Sequence, residues 1–202
     1  MITLGQVNSV NGEGSLFNFP LDCAGASRMV IVSVAYKPDA NQEISSVTYG
    51  GVAMTSLGFT QLETSIATEI FYLVSPIVGT SQVSVQLTSS AKTIVSAVAL
   101  EGVDQMAPIY FKTNGVGRMV NEIPLVCQAQ NGDMLIGMGV CSGISEAPIE
   151  VWQTSVWNVQ QAVNLRSQGI CSFPNFTATF TVSNTVDPAT DWALNILGIK
   201  AA

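Results

Sequence analysis

The sequence lacks histidine altogether and carries very little charge. Only 7 basic and 14 acidic residues occur among 202, so 10 % of the residues are charged, against roughly 25 % in an average soluble domain. Without histidine, no Ser-His-Asp triad, Cys-His dyad or histidine-ligated zinc site can be built. A net charge of −7 with so few cations argues against nucleic-acid binding through phosphates. An apolar content of 48 % excludes intrinsic disorder.

The scarcity of charge also bears on the surface of the folded chain. A 21.3 kDa monomer exposes about 9,000 Å² by the usual mass scaling, so each charge serves more than about 400 Å². A surface with so little charge is expected to contain apolar patches, and large exposed apolar patches mark sites of contact with other molecules. We therefore expect a substantial part of the surface to be buried between chains.

The sequence also lacks a secretion signal, a membrane span and an interdomain linker. Residues Met1–Pro20 contain no basic segment followed by a sustained apolar run, and apolar runs elsewhere have the length of strands. We expect a chain that is not secreted by a signal peptide and does not enter a membrane. We also expect one domain over residues 1–202, with residues 1–20 available as a terminal arm.

The four cysteines lie far apart and form no CxxC pair. Without a secretion signal, they are expected to be reduced and mostly buried. Three disulfide connectivities remain open if the chain meets an oxidising compartment. The short paired spacing of zinc ribbons is missing, so no metal site and no cofactor is predicted.

Short β-type segments separated by Gly, Asn, Ser and Pro run along the whole chain. An opening hairpin is predicted with its turn at 11–14, and the continuous apolar run Met29–Tyr36 predicts a central strand covered on both faces. Separate strands are predicted at Val83–Leu87 and Ile94–Leu100, and a long connection at Asp104–Asn121. A helix is the alternative at Val156–Leu165, and the second half shows no obvious sequence repeat of the first.

Aromatic side chains raise the hypothesis of a sugar-binding platform, because sugar rings stack their apolar faces on aromatic rings. The candidates are Tyr49, Trp152 and Trp157, together with Tyr110. Core filling is the alternative interpretation for each of them, and the low aromatic content of 7 % favours it. A hydrolase with two carboxylates facing each other across a cleft is a third alternative, and no local motif points to one.

The run Ser46–Thr55, with its Val-Thr-Tyr-Gly-Gly-Val-Ala-Met-Thr core, resembles the hairpin of a recurrent jelly-roll-like β-sandwich module. Such modules occur in bacterial surface proteins and in phage virion proteins. The resemblance continues in order along the chain, through Glu69–Val74, Pro76–Val85, Val98–Gln105, Gly132–Ile136 and Asp191–Ala193. It carries no catalytic motif.

The resemblance implies an all-β fold: a two-sheet antiparallel β-sandwich, jelly-roll-like, with about a dozen strands. Its strand order stays open between jelly-roll and immunoglobulin-like connections. It also implies a non-enzymatic structural protein of a bacteriophage virion, assembled in the host cytoplasm, that decorates or cements the capsid. The expected partners are the major capsid protein or other virion proteins and further copies of the chain, with a trimer as the expected oligomer. The alternative is a carbohydrate- or surface-binding β-sandwich module.

Overall fold

The protein is described here from a computed structural model. The structure describes residues 1–38, 42–142, 154–161, 165–173 and 178–202. For residues 120–124, 129 and 178–189 it describes the backbone only. The described residues contain no helix and twelve strands: β1 (Thr3–Cys23), β2 (Met29–Tyr36), β3 (Ile44–Tyr49), β4 (Val52–Ala53), β5 (Thr55–Leu62), β6 (Ile66–Val74), β7 (Gly79–Glu101), β8 (Ile109–Ala129), β9 (Met134–Cys141), β10 (Thr154–Gln161), β11 (Leu165–Ser172) and β12 (Ala178–Ile199).

The strands form two antiparallel sheets, which confirms the predicted all-β, two-sheet sandwich. The first sheet has the order β4-β3-β7-β2-β6-β5, with β1 also paired to β7, and the second has the order β10-β11-β9-β12-β8. Each sheet is therefore built from one continuous half of the chain. The predicted central strand is confirmed, because every residue of β2 is buried. The helix alternative at 156–165 is wrong for its described part, since β10 is a strand through Gln161.

The predicted opening hairpin is wrong, because β1 runs without a turn through residues 11–14. Gly12 pairs with Thr93 of β7, and Gly14 pairs with Ala91 of the same strand. The segments before and after these glycines therefore both pair with β7. Neither glycine has a positive φ, which shows that they extend the ladder instead of reversing the chain. Residues 3–20 are thus part of a sheet and not a detached arm. The two strands predicted within 83–100 are likewise one strand, β7.

The segment 104–121, predicted as a long connection, lies mostly in β8. Its glycines Gly115 and Gly117 pair with Leu194 and Trp192 of β12. By contrast, the run Ser46–Thr55, which resembles a hairpin in sequence, does reverse the chain at Gly50-Gly51: both glycines have positive φ, and Tyr49 pairs with Val52 across the turn. Glycine in this sequence therefore marks both turns and extended strands.

Apart from β3 and β4, the described strands form two copies of one arrangement, which we call the N-terminal repeat (Thr3–Glu101) and the C-terminal repeat (Ile109–Ile199). Each repeat opens with a strand of 21 residues that pairs with the closing strand, of 23 residues in one repeat and 22 in the other. In each, a buried strand of 8 residues pairs with the end of the closing strand: β2 with β7, and β9 with β12. Residues equivalent in position to β3 and β4 fall outside the described ranges.

The register of the pairing repeats residue by residue. Thr55 pairs with Tyr72 in the N-terminal repeat, and 99 positions later Thr154 pairs with Cys171. Both ladders then contain a bulge after the second pair, and both continue to the end of their strands in the same register. Because a β-bulge is a specific local irregularity, its recurrence at the same place indicates that the two repeats share one backbone design.

The two repeats pack face to face through equivalent residues. Met29 and Ile31 of β2 share one buried cluster with their counterparts Met134 and Ile136 of β9. The neighbouring strands are reciprocal too: β1 lies against β10 and β8 against β5, while β7 lies against β10 and β12 against β5. Such reciprocity is the property of an isologous interface. The repeats are therefore related by an approximate two-fold arrangement, as in a homodimer joined into one chain.

Candidate functional site

The structure does not bring the three predicted platform residues together on a surface. Tyr49 is fully buried, and its hydroxyl donates to the carbonyl oxygens of Leu21 at 3.0 Å and Gly79 at 3.2 Å. Burial raises the pKa of Tyr49. These backbone acceptors satisfy the hydroxyl, so the whole side chain can lie inside the N-terminal repeat. Tyr49 is thus a core residue, and its place in the platform is corrected.

Trp157 is also a core residue, with only 5 % of its area exposed. Its indole nitrogen donates to Ser167 Oγ at 3.2 Å, and its ring lies over Gly169 of the adjacent strand. A Cβ atom at Gly169 would lie 2.5 Å from the ring, so the glycine is what makes room for the indole. The third candidate, Trp152, lies outside the described residues. No stacking platform is therefore formed by Tyr49 and Trp157.

The four cysteines are free and buried, as expected from the sequence. Burial raises the pKa of Cys127, Cys141 and Cys171 to about 11 and also raises that of Cys23. Since the thiolate is the reactive and metal-binding form, we expect these buried thiols to react little at neutral pH. In the described ranges no group of three or more Cys, Asp or Glu side chains is placed to hold a metal ion.

One surface cavity carries acidic chemistry, and we call it the carboxylate pocket. Its volume is about 450 Å³, and it is lined by Tyr36, Gln42, Glu43, Ile44, Phe59, Gln61 and Glu69. Burial raises the pKa of Glu69 and the charge of Glu43 raises it further, while Ser56 Oγ, 2.6 Å from Glu69 Oε1, lowers it by donating a hydrogen bond. Phe59 presents an exposed ring beside these groups. The carboxylate pocket was only weakly indicated by the sequence, because its residues come from separate strands and from the loop before β3.

The outer strand β8 forms a second candidate surface. Among the described residues it pairs with β12 alone, so its other backbone edge has no strand beside it. Val116, Met119 and Val126 on this strand are 42 %, 68 % and 56 % exposed. A large apolar side chain that stays exposed on an edge strand costs free energy in water, and natural proteins normally blunt such edges. The first part of this strand, residues 109–121, was missed in the sequence because its glycines suggested a loop.

The bulge of β8 holds one of these side chains in an unusual backbone conformation. Met119 has a φ of 47°, in the left-handed region that non-glycine residues rarely adopt. Its backbone N–H donates to Asp191 Oδ1 at 3.0 Å, and Asp191 Oδ2 accepts a hydrogen bond from Ser65 Oγ of the N-terminal repeat at 2.6 Å. Asp191, named in the sequence only as part of the resemblance, thus fixes the bulge that presents Met119 to solvent.

The surface as a whole is as thinly charged as the composition predicts. The chain exposes 8498 Å², which is about 400 Å² for each of its charged residues. Among the residues that the structure describes, no helix is long and apolar enough to span a membrane. Comparison with protein-family models, with curated proteins and with solved structures gives no match to this chain.

Proposed function

We propose that this protein is a non-enzymatic structural component of a phage virion that decorates the capsid by binding neighbouring subunits. The observation that carries the proposal is the free edge of β8 with its exposed apolar side chains. An unpaired edge can accept a strand from another chain through backbone hydrogen bonds, and apolar side chains beside it add affinity. The low surface charge supports the same function, because little charge would have to be desolvated on association.

Decoration acts by binding the assembled shell more tightly than its separate subunits. A ligand that binds only one state stabilises that state by mass action, so a protein with this preference holds the shell together. We propose the major capsid protein as the partner of β8. Further copies of the chain, as a trimer, are proposed as its second partner.

The first test of this proposal is the gene neighbourhood, which should contain a major capsid protein. Heads assembled from that capsid protein are then mixed with the purified chain and sedimented. The chain should pellet with assembled heads in a saturable manner and stay in solution with unassembled subunits. Failure to bind heads, or equal binding to free subunits, would contradict the proposal.

A pair of variants tests the role of β8 in that binding. Val116→Glu combined with Met119→Glu should weaken head binding at least tenfold, since two charges would be placed in a desolvated contact. Ile77→Glu is the matched control: Ile77 is 62 % exposed in the turn between β6 and β7, away from β8. It should bind heads like the natural chain. Equal loss in both variants would argue against a specific role of β8.

The second candidate function is carbohydrate binding, and the carboxylate pocket favours it. An exposed aromatic ring, carboxylates and carboxamides in one cavity are the groups that recognise sugar rings and hydroxyls. A glycan array with the natural chain, Phe59→Ala and Glu69→Gln tests it. Phe173→Ala is the control, because Phe173 is exposed to a similar degree, 45 % against 44 % for Phe59. Two results together would replace the decoration proposal with this one. Glycan binding would be lost only in the pocket variants, and the natural chain would be a monomer that does not bind heads.

A further inference from the structure

The two repeats fill one equivalent position in opposite ways. Trp157 of β10 pairs with Gly169 of β11, whereas the equivalent pair in the N-terminal repeat is Gly58 and Ile70. In the C-terminal repeat the indole is buried in the cluster between the repeats, together with Val98. In the N-terminal repeat no side chain projects from position 58. The duplicated interface is therefore filled on one side and open on the other.

The open side contains a cavity of about 190 Å³, which we call the inter-repeat cavity. Both repeats line it, with Leu57, Gly58, Phe59 and Ile70 from one and Lys112, Thr113, Asn114, Asn195 and Leu197 from the other. Its walls are apolar and polar in nearly equal parts, with apolar surface from Leu57, Phe59, Ile70 and Leu197 and polar groups from Lys112, Thr113, Asn114 and Asn195. An apolar cavity of about 150 Å³ is large enough to admit benzene, so this one can admit a small organic molecule.

An unpartnered donor lies in the wall of this cavity. Asn195 is only 6 % exposed, and its Oδ1 accepts a hydrogen bond from Thr60 Oγ1 at 2.8 Å. Thr60 Oγ1 in turn accepts from Asn114 Nδ2 at 2.9 Å, which fixes the direction of the chain of hydrogen bonds. Asn195 Nδ2 is left without a partner. A buried donor without an acceptor costs free energy, so a bound acceptor would be stabilising here.

A positive charge lies in the wall of the same cavity. Lys112 Nζ donates to the carbonyl oxygen of Leu57 at 2.6 Å and lies 3.5 Å from where a Cβ of Gly58 would be. Its ammonium group has three donors, so further ones remain for a ligand. The cavity thus combines a cation and a neutral N–H donor with apolar surface. An anionic acceptor on an apolar body matches this combination.

We propose that the inter-repeat cavity binds a small carboxylate with an apolar body. The carboxylate accepts hydrogen bonds from Asn195 Nδ2 and Lys112 Nζ, and the apolar body contacts Leu57, Ile70 and Leu197. The ligand takes the space that Trp157 fills in the other repeat. This binding site goes beyond the proposed capsid contact but shares residues 112–114 of β8 with it, so the ligand is tested on the chain without heads.

Benzoate is the probe, and benzamide is its neutral control of nearly the same shape. Both are titrated into the full chain at millimolar concentrations, and backbone amide NMR shifts are followed. Benzoate should shift residues 57–59 and 112–114 in a saturable manner and bind about tenfold more tightly than benzamide. No saturable shift, shifts elsewhere, or equal affinity for the two probes would overturn the proposal.

Two variants assign the contacts. Lys112→Met keeps the length of an exposed side chain and should fold normally, yet it should weaken benzoate binding about tenfold. Asn195→Leu should weaken both benzoate and benzamide, because both need the buried donor. Lys92→Met, which removes a cation outside the cavity, should bind benzoate like the natural chain. Unchanged benzoate affinity in Lys112→Met would by itself overturn the proposal, whether or not Asn195→Leu folds.

Discussion

Replacing Gly169 by alanine tests how the C-terminal repeat accommodates its buried tryptophan. The new Cβ would lie 2.5 to 2.6 Å from three ring atoms of Trp157, which is closer than real contacts allow. The ring cannot move outward freely, since it is 5 % exposed and held by Ser167. Overpacking of this kind costs about 1–3 kcal/mol, and the alanine returns roughly 0.5–1 kcal/mol through its lower entropy loss in a strand. We expect a net destabilisation of about 1–2 kcal/mol.

The same replacement should have the opposite sign once the ring is removed. Trp157→Ala alone costs about 3–5 kcal/mol through lost burial and the cavity it leaves. In that background Gly169→Ala should be neutral or stabilising by up to about 1 kcal/mol, because only the backbone effect remains. The coupling between the two positions is then about 2 kcal/mol, within the range for residues in contact.

Urea unfolding of the four chains of this cycle measures the coupling. Gly139→Ala is the matched control, because its Cβ would meet Leu194 at an ordinary 3.6 Å and should cost little. Thermal unfolding gives a second readout: in a chain of this size, Tm falls by roughly 2–4 °C for each kcal/mol of lost stability. If Gly169→Ala costs the same with and without Trp157, or no more than Gly139→Ala, the steric explanation is refuted.

Three further outcomes follow from buried or paired groups. Tyr49→Phe should lower the free energy of unfolding by about 1–2 kcal/mol in urea titrations, since the buried hydrogen bond to the Leu21 carbonyl and the part-buried one to the Gly79 carbonyl are lost, and it should leave any glycan binding unchanged. The four thiols should react with a disulfide reagent at pH 8 only after denaturation, because burial raises their pKa values; rapid reaction of the folded chain would contradict this. The hydrogen bond from Lys200 and those from two backbone amides hold the pKa of Asp104 at about 2. Because this pKa lies below the usual 3.8, the stabilisation that the ionised Asp104 provides is present above pH 4 and is lost as the pH falls toward 2. Amide exchange near the C-terminus should therefore become faster over this pH range in the natural chain. The same change should be missing in Asp104→Asn.

The class of fold was predictable because it depends on a repeated property of the residues. Alternating and continuous apolar runs specify strands whatever the identity of each side chain, as β2 shows with all of its residues buried. Glycines mislead this reasoning where they extend a strand. Gly12 and Gly14 resemble a turn in sequence, but a partner strand was available along the whole segment, and pairing with it satisfies more backbone groups.

The duplication was not predictable from the sequence, because it is preserved in backbone register and not in residue identity. Gly58 corresponds to Trp157 and Ile70 to Gly169, so each pair keeps one large and one small member but exchanges their places. The core role of Tyr49 was equally hidden. Its hydroxyl is satisfied by backbone carbonyls, which any sequence supplies and no motif reveals.

We propose that the free edge of β8 binds a neighbouring subunit of a shell. Hydrogen–deuterium exchange of the full chain, alone and saturated with assembled heads, measures this directly at the amides of residues 109–119. We expect strong protection of these amides by heads and unchanged exchange in the turn that carries Ile77. Protection confined to other strands, or no protection at all while the chain stays bound, would contradict it.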